Sequence, residues 1–141
     1  MENKILIVED DATVSKLMYE FLSRSGYQAI ITHSAEEAET VLEQEEIHII
    51  LTDVKLPGID GITFTKKVKK QYSLDVIITT GYSSEYFYED AINNGASDLI
   101  FKPIRLNELM LRINRVIRER SLINERDQMI ERLKKLSIRD P

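Results

Sequence analysis

The sequence predicts a doubly wound α/β domain, a five-stranded parallel sheet with helices on both faces, followed by one extended C-terminal helix. Three observations carry this. Short aliphatic runs alternate with stretches of helical periodicity, the order that forces parallel strands and right-handed crossovers. The runs are continuous in hydrophobicity rather than alternating, as in strands buried on both faces. Three of them also stop on charged residues: Ile5-Leu6-Ile7-Val8 on Glu9-Asp10, Ile49-Ile50-Leu51 on Thr52-Asp53, and Leu99-Ile100-Phe101 on Lys102-Pro103. In such sheets ligands sit beyond the strands' carboxyl ends.

Strand one is read over Lys4 to Val8, and helix one over about Thr13 to Ser25. Asp11 directly precedes that helix and is read as its cap, and Gly26 as the residue that ends it. Strand two covers Gln28 to Thr32. Ser34-Ala35-Glu36-Glu37 is a capping-box pattern, with Ser34 capping and Glu37 reaching back, for a helix to about Gln44;. Strand three covers Ile47 to Thr52. The segment from Asp53 to Gly61 is a loop punctuated by Pro57 and Gly58, before a helix from about Ile62 to Tyr72;. Strand four covers Asp75 to Thr80, helix four roughly Ser84 to Asn93 with Asn94-Gly95 at its end, and strand five Asp98 to Phe101;.

A flavodoxin-like strand order, 2-1-3-4-5, sets strands one and three side by side and makes Glu9, Asp10 and Asp53 neighbours in space. Carboxylates so close repel one another unless a cation joins them, and a hard cation with oxygen ligands suits that need. The expectation is a magnesium site built around Asp53.

The chain has 141 residues, enough for one domain that buries roughly two-thirds of its unfolded surface;. A net charge of −5 argues against nucleic acid or a membrane surface as direct partner, because phosphate backbones need a basic stripe;. There is no cysteine, no apolar N-terminal leader and no run long enough to span a bilayer, so a cytoplasmic protein is expected;. His33 and His48 are too isolated for a metal cluster and read as ordinary surface or strand residues. An aspartate after a strand is, taken alone, most often a cap or turn former, and a lone lysine is most often solvated.

Glu9-Asp10, Asp53 with Leu56-Pro57-Gly58-Ile59-Asp60-Gly61 behind it, Thr80, Gly95-Ala96-Ser97-Asp98 and Lys102-Pro103 occur in order at the ends of the predicted strands. Together they resemble a two-component response-regulator receiver domain over residues 3 to about 118. The resemblance implies that Asp53 takes a phosphoryl group from a phosphohistidine of a sensor histidine kinase or phosphotransfer protein. It further implies Mg²⁺ held by Asp10, Asp53 and the backbone carbonyl of Lys55, with Glu9 acting through a water. Lys102 would pair with phosphoryl oxygens, Thr80 would donate its hydroxyl to another, and the Lys102–Pro103 peptide would be cis. By the same resemblance Lys55 and Tyr82 border the path of the hydrolytic water, and their bulk implies slow decay of the phosphoryl state. Receivers commonly carry an aromatic switch residue three positions before the lysine. Here that position is Leu99, and Phe101, roughly 6.6 Å along the strand, does not replace it. Phosphorylation is expected to work while its coupling to the surface is altered.

Tyr82, Tyr86, Phe87 and Tyr88 crowd helix four and its approach, so some of them must face outward;. Either Phe87 packs in the core with loose tyrosines around it, or the group forms a partner surface. Rival classes fit less well. A magnesium-dependent phosphatase needs a second aspartate two residues after the nucleophile, where Lys55 stands. A flavodoxin-like cofactor binder needs a Gly-rich loop after strand one, where the chain is acidic. A degenerate receiver used only for protein contact is the remaining alternative. The chain itself is expected not to be an enzyme.

From about Leu106 to Ile138 neither Pro nor Gly interrupts the helical pattern, giving roughly 50 Å of helix;. Leu109, Ile113, Val116 and Ile117 suit packing on the sheet. Leu122, Ile123, Met129, Ile130, Leu133 and Leu136 recur at near-heptad spacing, which predicts a parallel two-stranded coiled coil and hence a homodimer;. Glu119 and Arg126 fall on its seam and weaken it; a helix folding back on its own domain is the alternative. The organisation expected is a receiver over residues 1–120 and a helical linker over 121–141. Leu133 to Pro141 resembles the lead-in to a GGDEF-type diguanylate cyclase domain, which implies an output domain beyond it. Linkers to a kinase or another output look similar.

Overall fold

A computed structural model of the chain describes residues 3–81 and 85–139, without the side chains of residues 85–87 and 138–139. In chain order the elements are β1 (Lys4–Val8), α1 (Ala12–Arg24), β2 (Gln28–Thr32), α2 (Ala35–Gln44), β3 (Ile49–Asp53), α3 (Gly61–Gln71), β4 (Asp75–Thr80), α4 (Glu85–Asn93), β5 (Asp98–Phe101) and α5 (Leu106–Arg139). The sheet has the order β2-β1-β3-β4-β5 and every pairing is parallel. This is the predicted flavodoxin-like, doubly wound arrangement.

One core holds Leu6, Val8, Ile50, Val76, Ile78 and Leu99 from the strands against Ala38 and Leu42 of α2 and Phe64 and Val68 of α3. Ile5, Ile7, Ile49, Leu51 and Ile77 are equally buried and alternate with these along the strands, so they face the opposite side of the sheet;. Burial on both faces explains why these strands read as unbroken aliphatic runs.

The helix ends follow from local chemistry. Asp11 Oδ1 accepts from the N–H groups of Thr13 and Val14 at 2.9 and 3.2 Å, which starts α1 at Ala12;. Gly26, at φ +93°, ends it with paired bonds from Tyr27 N to Leu22 O and from Gly26 N to Ser23 O;. The capping box of α2 closes differently from the expectation. Ser34 Oγ accepts from Glu37 N at 3.1 Å, but Glu37 Oε2 accepts from His33 N at 3.0 Å instead of from Ser34, one residue further upstream.

Four predicted boundaries move, both ends of β3 and both ends of α3. β3 begins at Ile49 rather than Ile47, because His48 Nδ1 accepts from the backbone N–H of Lys4 at 2.9 Å and so takes the place of a ladder carbonyl. At its other end β3 continues through Asp53, which lies opposite Thr79. α3 opens at Gly61, because Asp60 Oδ1 accepts from Ile62 N and Thr63 N at 2.9 and 2.8 Å, and it stops before Tyr72, whose backbone is extended. The predicted start of helix four at Ser84 lies outside the described residues.

Packing divides the chain into two units, Met1–Leu109 and Met110–Pro141. The first holds the sheet. The second is α5 from Met110 onward, in which Ile113 and Val116 are buried and Leu122, Ile123, Met129, Ile130, Leu133 and Leu136 are exposed. No helix among the described residues is long and apolar enough to cross a membrane.

Candidate functional site

Adjacency of β1 and β3 builds the site. Val8 lies opposite Thr52, so Glu9, which follows β1, and Asp53, which ends β3, stand side by side at the carboxyl edge of the sheet. Hydrogen bonds fix both. Glu9 N donates to Thr32 O at 3.0 Å, and the Asp53 Oδ1 accepts from Val54 N at 2.7 Å. Glu9 and Asp53 are buried while Asp10 is exposed, yet one carboxylate oxygen from each of the three lies within 4.8 Å of the others.

Lys102 reaches this cluster from β5. Its backbone N–H donates to Thr80 O at 2.7 Å, and the Lys102–Pro103 peptide is cis. The Nζ donates to Glu9 Oε1 at 2.7 Å and to Asp53 Oδ2 at 2.9 Å, bridging two strands. Thr80 is buried, and it lines a cavity of about 310 Å³ with Asp53, Lys55, Gly81 and Lys102. Lys55 is exposed at the rim of that cavity. Tyr82, assigned a part in hydrolysis, lies outside the described residues.

Burial sets the electrostatics. It pushes the Glu9 carboxyl up to about 7, helped by the nearby Asp53 charge and opposed by the hydrogen bond from Lys102;. Burial alone would lower Lys102, but its hydrogen bonds to Glu9 and Asp53 outweigh that and hold its ammonium above the ordinary lysine value. With every carboxylate ionised, three carboxylates share one ammonium, an excess of two negative charges. All the donors are hard oxygens. The set fits a divalent cation of the magnesium type, and the donor chemistry excludes a preference for soft metals.

Several contributors escape the sequence reading. Gly61 is packed so closely under Asp53 that a Cβ there would collide with the Asp53 carbonyl oxygen, and its N–H donates to Val54 O at 2.8 Å. Gly61 stands in the run from Leu56 to Gly61 quoted for the resemblance, but nothing in that run assigned it a packing role. Thr52 Oγ1 donates to Asp53 O at 2.9 Å, and Thr79 Oγ1 lies 3.4 Å from Thr52 O, so two buried threonines brace the strand end. His33 is exposed, as read, and its Nδ1 lies 3.0 Å from the Glu9 carbonyl oxygen, which can only accept;.

At the predicted switch position, Leu99 is 2 % exposed and belongs to the core, whereas Phe101 is 40 % exposed at the strand end. Of the aromatic group near α4, Tyr88 is exposed, and Tyr86 and Phe87 have side chains outside the described residues.

Comparison with known proteins places this geometry. The chain is 30 % identical over 123 residues to the transcriptional regulatory protein AruR of Pseudomonas aeruginosa, covering 84 % of this chain and 50 % of that protein. It is 34 % identical over 132 residues to a cyclic di-GMP phosphodiesterase of Thermotoga maritima, covering 93 % of this chain and 35 % of the relative. The chain thus spans half the length of these relatives or less. Among solved structures it is similar to a CheY-like receiver domain protein from Methanospirillum hungatei, at TM-score 0.80 and 30 % identity over 86 % of this chain and 98 % of that one. It is likewise similar to the BeF₃-activated N-terminal receiver domain of Klebsiella pneumoniae RstA, at TM-score 0.78 and 29 % identity over 82 % and 99 % of the two chains. The residue pattern of the response regulator receiver domain matches residues 5–114, and on this fold and with these strand ends the chain belongs to that family.

Proposed function

We propose that this receiver domain accepts a phosphoryl group on Asp53 from a phosphohistidine of a sensor histidine kinase or phosphotransfer protein. The observation that supports it most is the state of Asp53 itself: a buried carboxylate whose Oδ2 meets Lys102 at 2.9 Å in a shared acidic cluster, beside a cavity large enough for a phosphoryl group. A carboxylate oxygen of Asp53 attacks phosphorus, the P–N bond breaks, and the electron pair returns to the imidazole, leaving an acyl phosphate. Receiver domains bind Mg²⁺ at an acidic pocket. Here Asp10, Asp53 and the Lys55 carbonyl would hold it directly and Glu9 through a water, and the ion would offset charge on the transferring group. Lys102 supplies a point cation for phosphoryl oxygens, and Thr80, on the cavity wall, supplies a hydroxyl;.

Receiver domains are signalling domains rather than enzymes, so the product of this chemistry is a message. We read its carrier as α5, which dimerises through its heptad stripe and aligns two covalently attached output domains. A diguanylate cyclase of the GGDEF type is the output we favour from Leu133 to Pro141. A second reading, an output that degrades cyclic di-GMP, is favoured by the 34 % identity to the Thermotoga phosphodiesterase.

The core proposal is tested by incubating the protein with Mg²⁺ and a small acyl-phosphate donor and weighing it intact. One phosphoryl adduct is expected, absent in Asp53→Asn and absent with chelator. An unmodified wild-type protein, or an adduct that persists in Asp53→Asn, overturns it.

A further inference from the structure

We propose that the later part of α5 is a docking surface for a second copy of the same helix, and that like charges on its seam hold the in-register pairing back. The inference rests on the dimerisation reading above and concerns how that pairing is set. In heptads, one seam position of the segment holds Arg112, Glu119, Arg126 and Leu133, and the other holds Arg115, Leu122, Met129 and Leu136;. The helix is continuous through all of them. Leu122, Met129, Leu133 and Leu136 are each more than half exposed, and Ile123 and Ile130 flank them on the same stripe. An apolar stripe this long on a charged helix needs a cover, and its seven-residue spacing selects another helix of equal spacing.

In a parallel pair with the two chains in register, each seam residue meets its own copy. Arg112 then faces Arg112, Arg115 faces Arg115, Glu119 faces Glu119 and Arg126 faces Arg126, in a seam drier than open solvent;. For Glu119 and Arg126, neighbours on the same helix offset little of this. Arg115 Nε meets Glu119 Oε1 at 3.2 Å and Arg126 meets Asp127 at 3.4 Å, and all of these side chains are well exposed;. Because the seam charges alternate in sign every seven residues, a shift of one heptad pairs Arg112 with Glu119 and Glu119 with Arg126, while shortening the apolar overlap. Apolar contact therefore favours the aligned pair and charge opposes it. The helix associates weakly in register alone and needs its attached domains brought together to do so.

The test uses the full chain with E119R/R126E, the same seam with its signs exchanged. Wild type and variant, each labelled at one introduced cysteine because the native chain has none, are mixed and the pairing is read by energy transfer. In register, the mixed pair turns two like-charge layers into opposite-charge ones, so it should form about tenfold more tightly than either homodimer. Equal or weaker mixed pairing overturns the charge lock. E119L/R126L separates the two claims: it should dimerise at concentrations where wild type is monomeric. Should it stay monomeric, the dimerisation reading itself fails; should it dimerise while the mixture shows no preference, only the register inference fails.

Discussion

Beside Asp53, Glu9 shapes the site by charge and Gly61 by the room it leaves. In the fold the Glu9 carboxyl sits at about 7, against 4.5 ordinarily, so across that window the folded state holds more protons than the unfolded one;. Stability of the metal-free protein should therefore fall as pH rises from about 4.5 to about 7 and level off above. Lys102 stays an ammonium throughout and does not contribute to the slope. Urea melts across this range check it, and Glu9→Gln should flatten the curve; an unchanged slope in that variant contradicts the assignment. Gly61 acts by shape. A methyl group there meets backbone rather than a side chain that can turn away, so Gly61→Ala should cost about 1–3 kcal/mol in denaturant melts and slow phosphorylation by shifting Asp53;. Asp53, Asp10, Glu9 and Lys102 were legible as a cluster because each ends an aliphatic run. Leu99 was legible both as a departure and, within a continuous aliphatic run, as a buried strand residue, whereas the exposure of Phe101 at the end of the same run was not legible;.

At the scale of elements, the caps decide where the loops begin, and the loops carry the site. Asp60 receives Ile62 N and Thr63 N on Oδ1 and the Thr63 hydroxyl on Oδ2, which fixes the first turn of α3 and, with it, the position of Gly61 beneath Asp53. Replacing Asp60 by Ala should lower stability by about 1 kcal/mol, measured by thermal melting, with Asp60→Asn retaining most of it. The strand order and element sequence were readable because period and punctuation agree along the chain. The misplaced ends have side-chain causes. His48 takes the N–H of Lys4 and so delays β3, and Glu37 takes the N–H of His33 rather than that of Ser34. Each is a choice among several nearby partners, and spacing alone does not rank them.

For the whole molecule, one sheet edge gathers the reactive groups while a single long helix presents an apolar stripe to solvent. In the function we propose, a phosphoryl group on Asp53 changes the local charge at the first, and alignment of the second carries the change to an attached domain. Every step of it depends on Asp53 being the residue modified. Borohydride reduces an aspartyl acyl phosphate to homoserine, so the phosphorylated protein, reduced and cut into peptides, reports the acceptor directly. Homoserine at position 53 is the predicted result; homoserine at Asp10 or Asp11, or none at all in protein that carries the phosphoryl mass, would contradict the account.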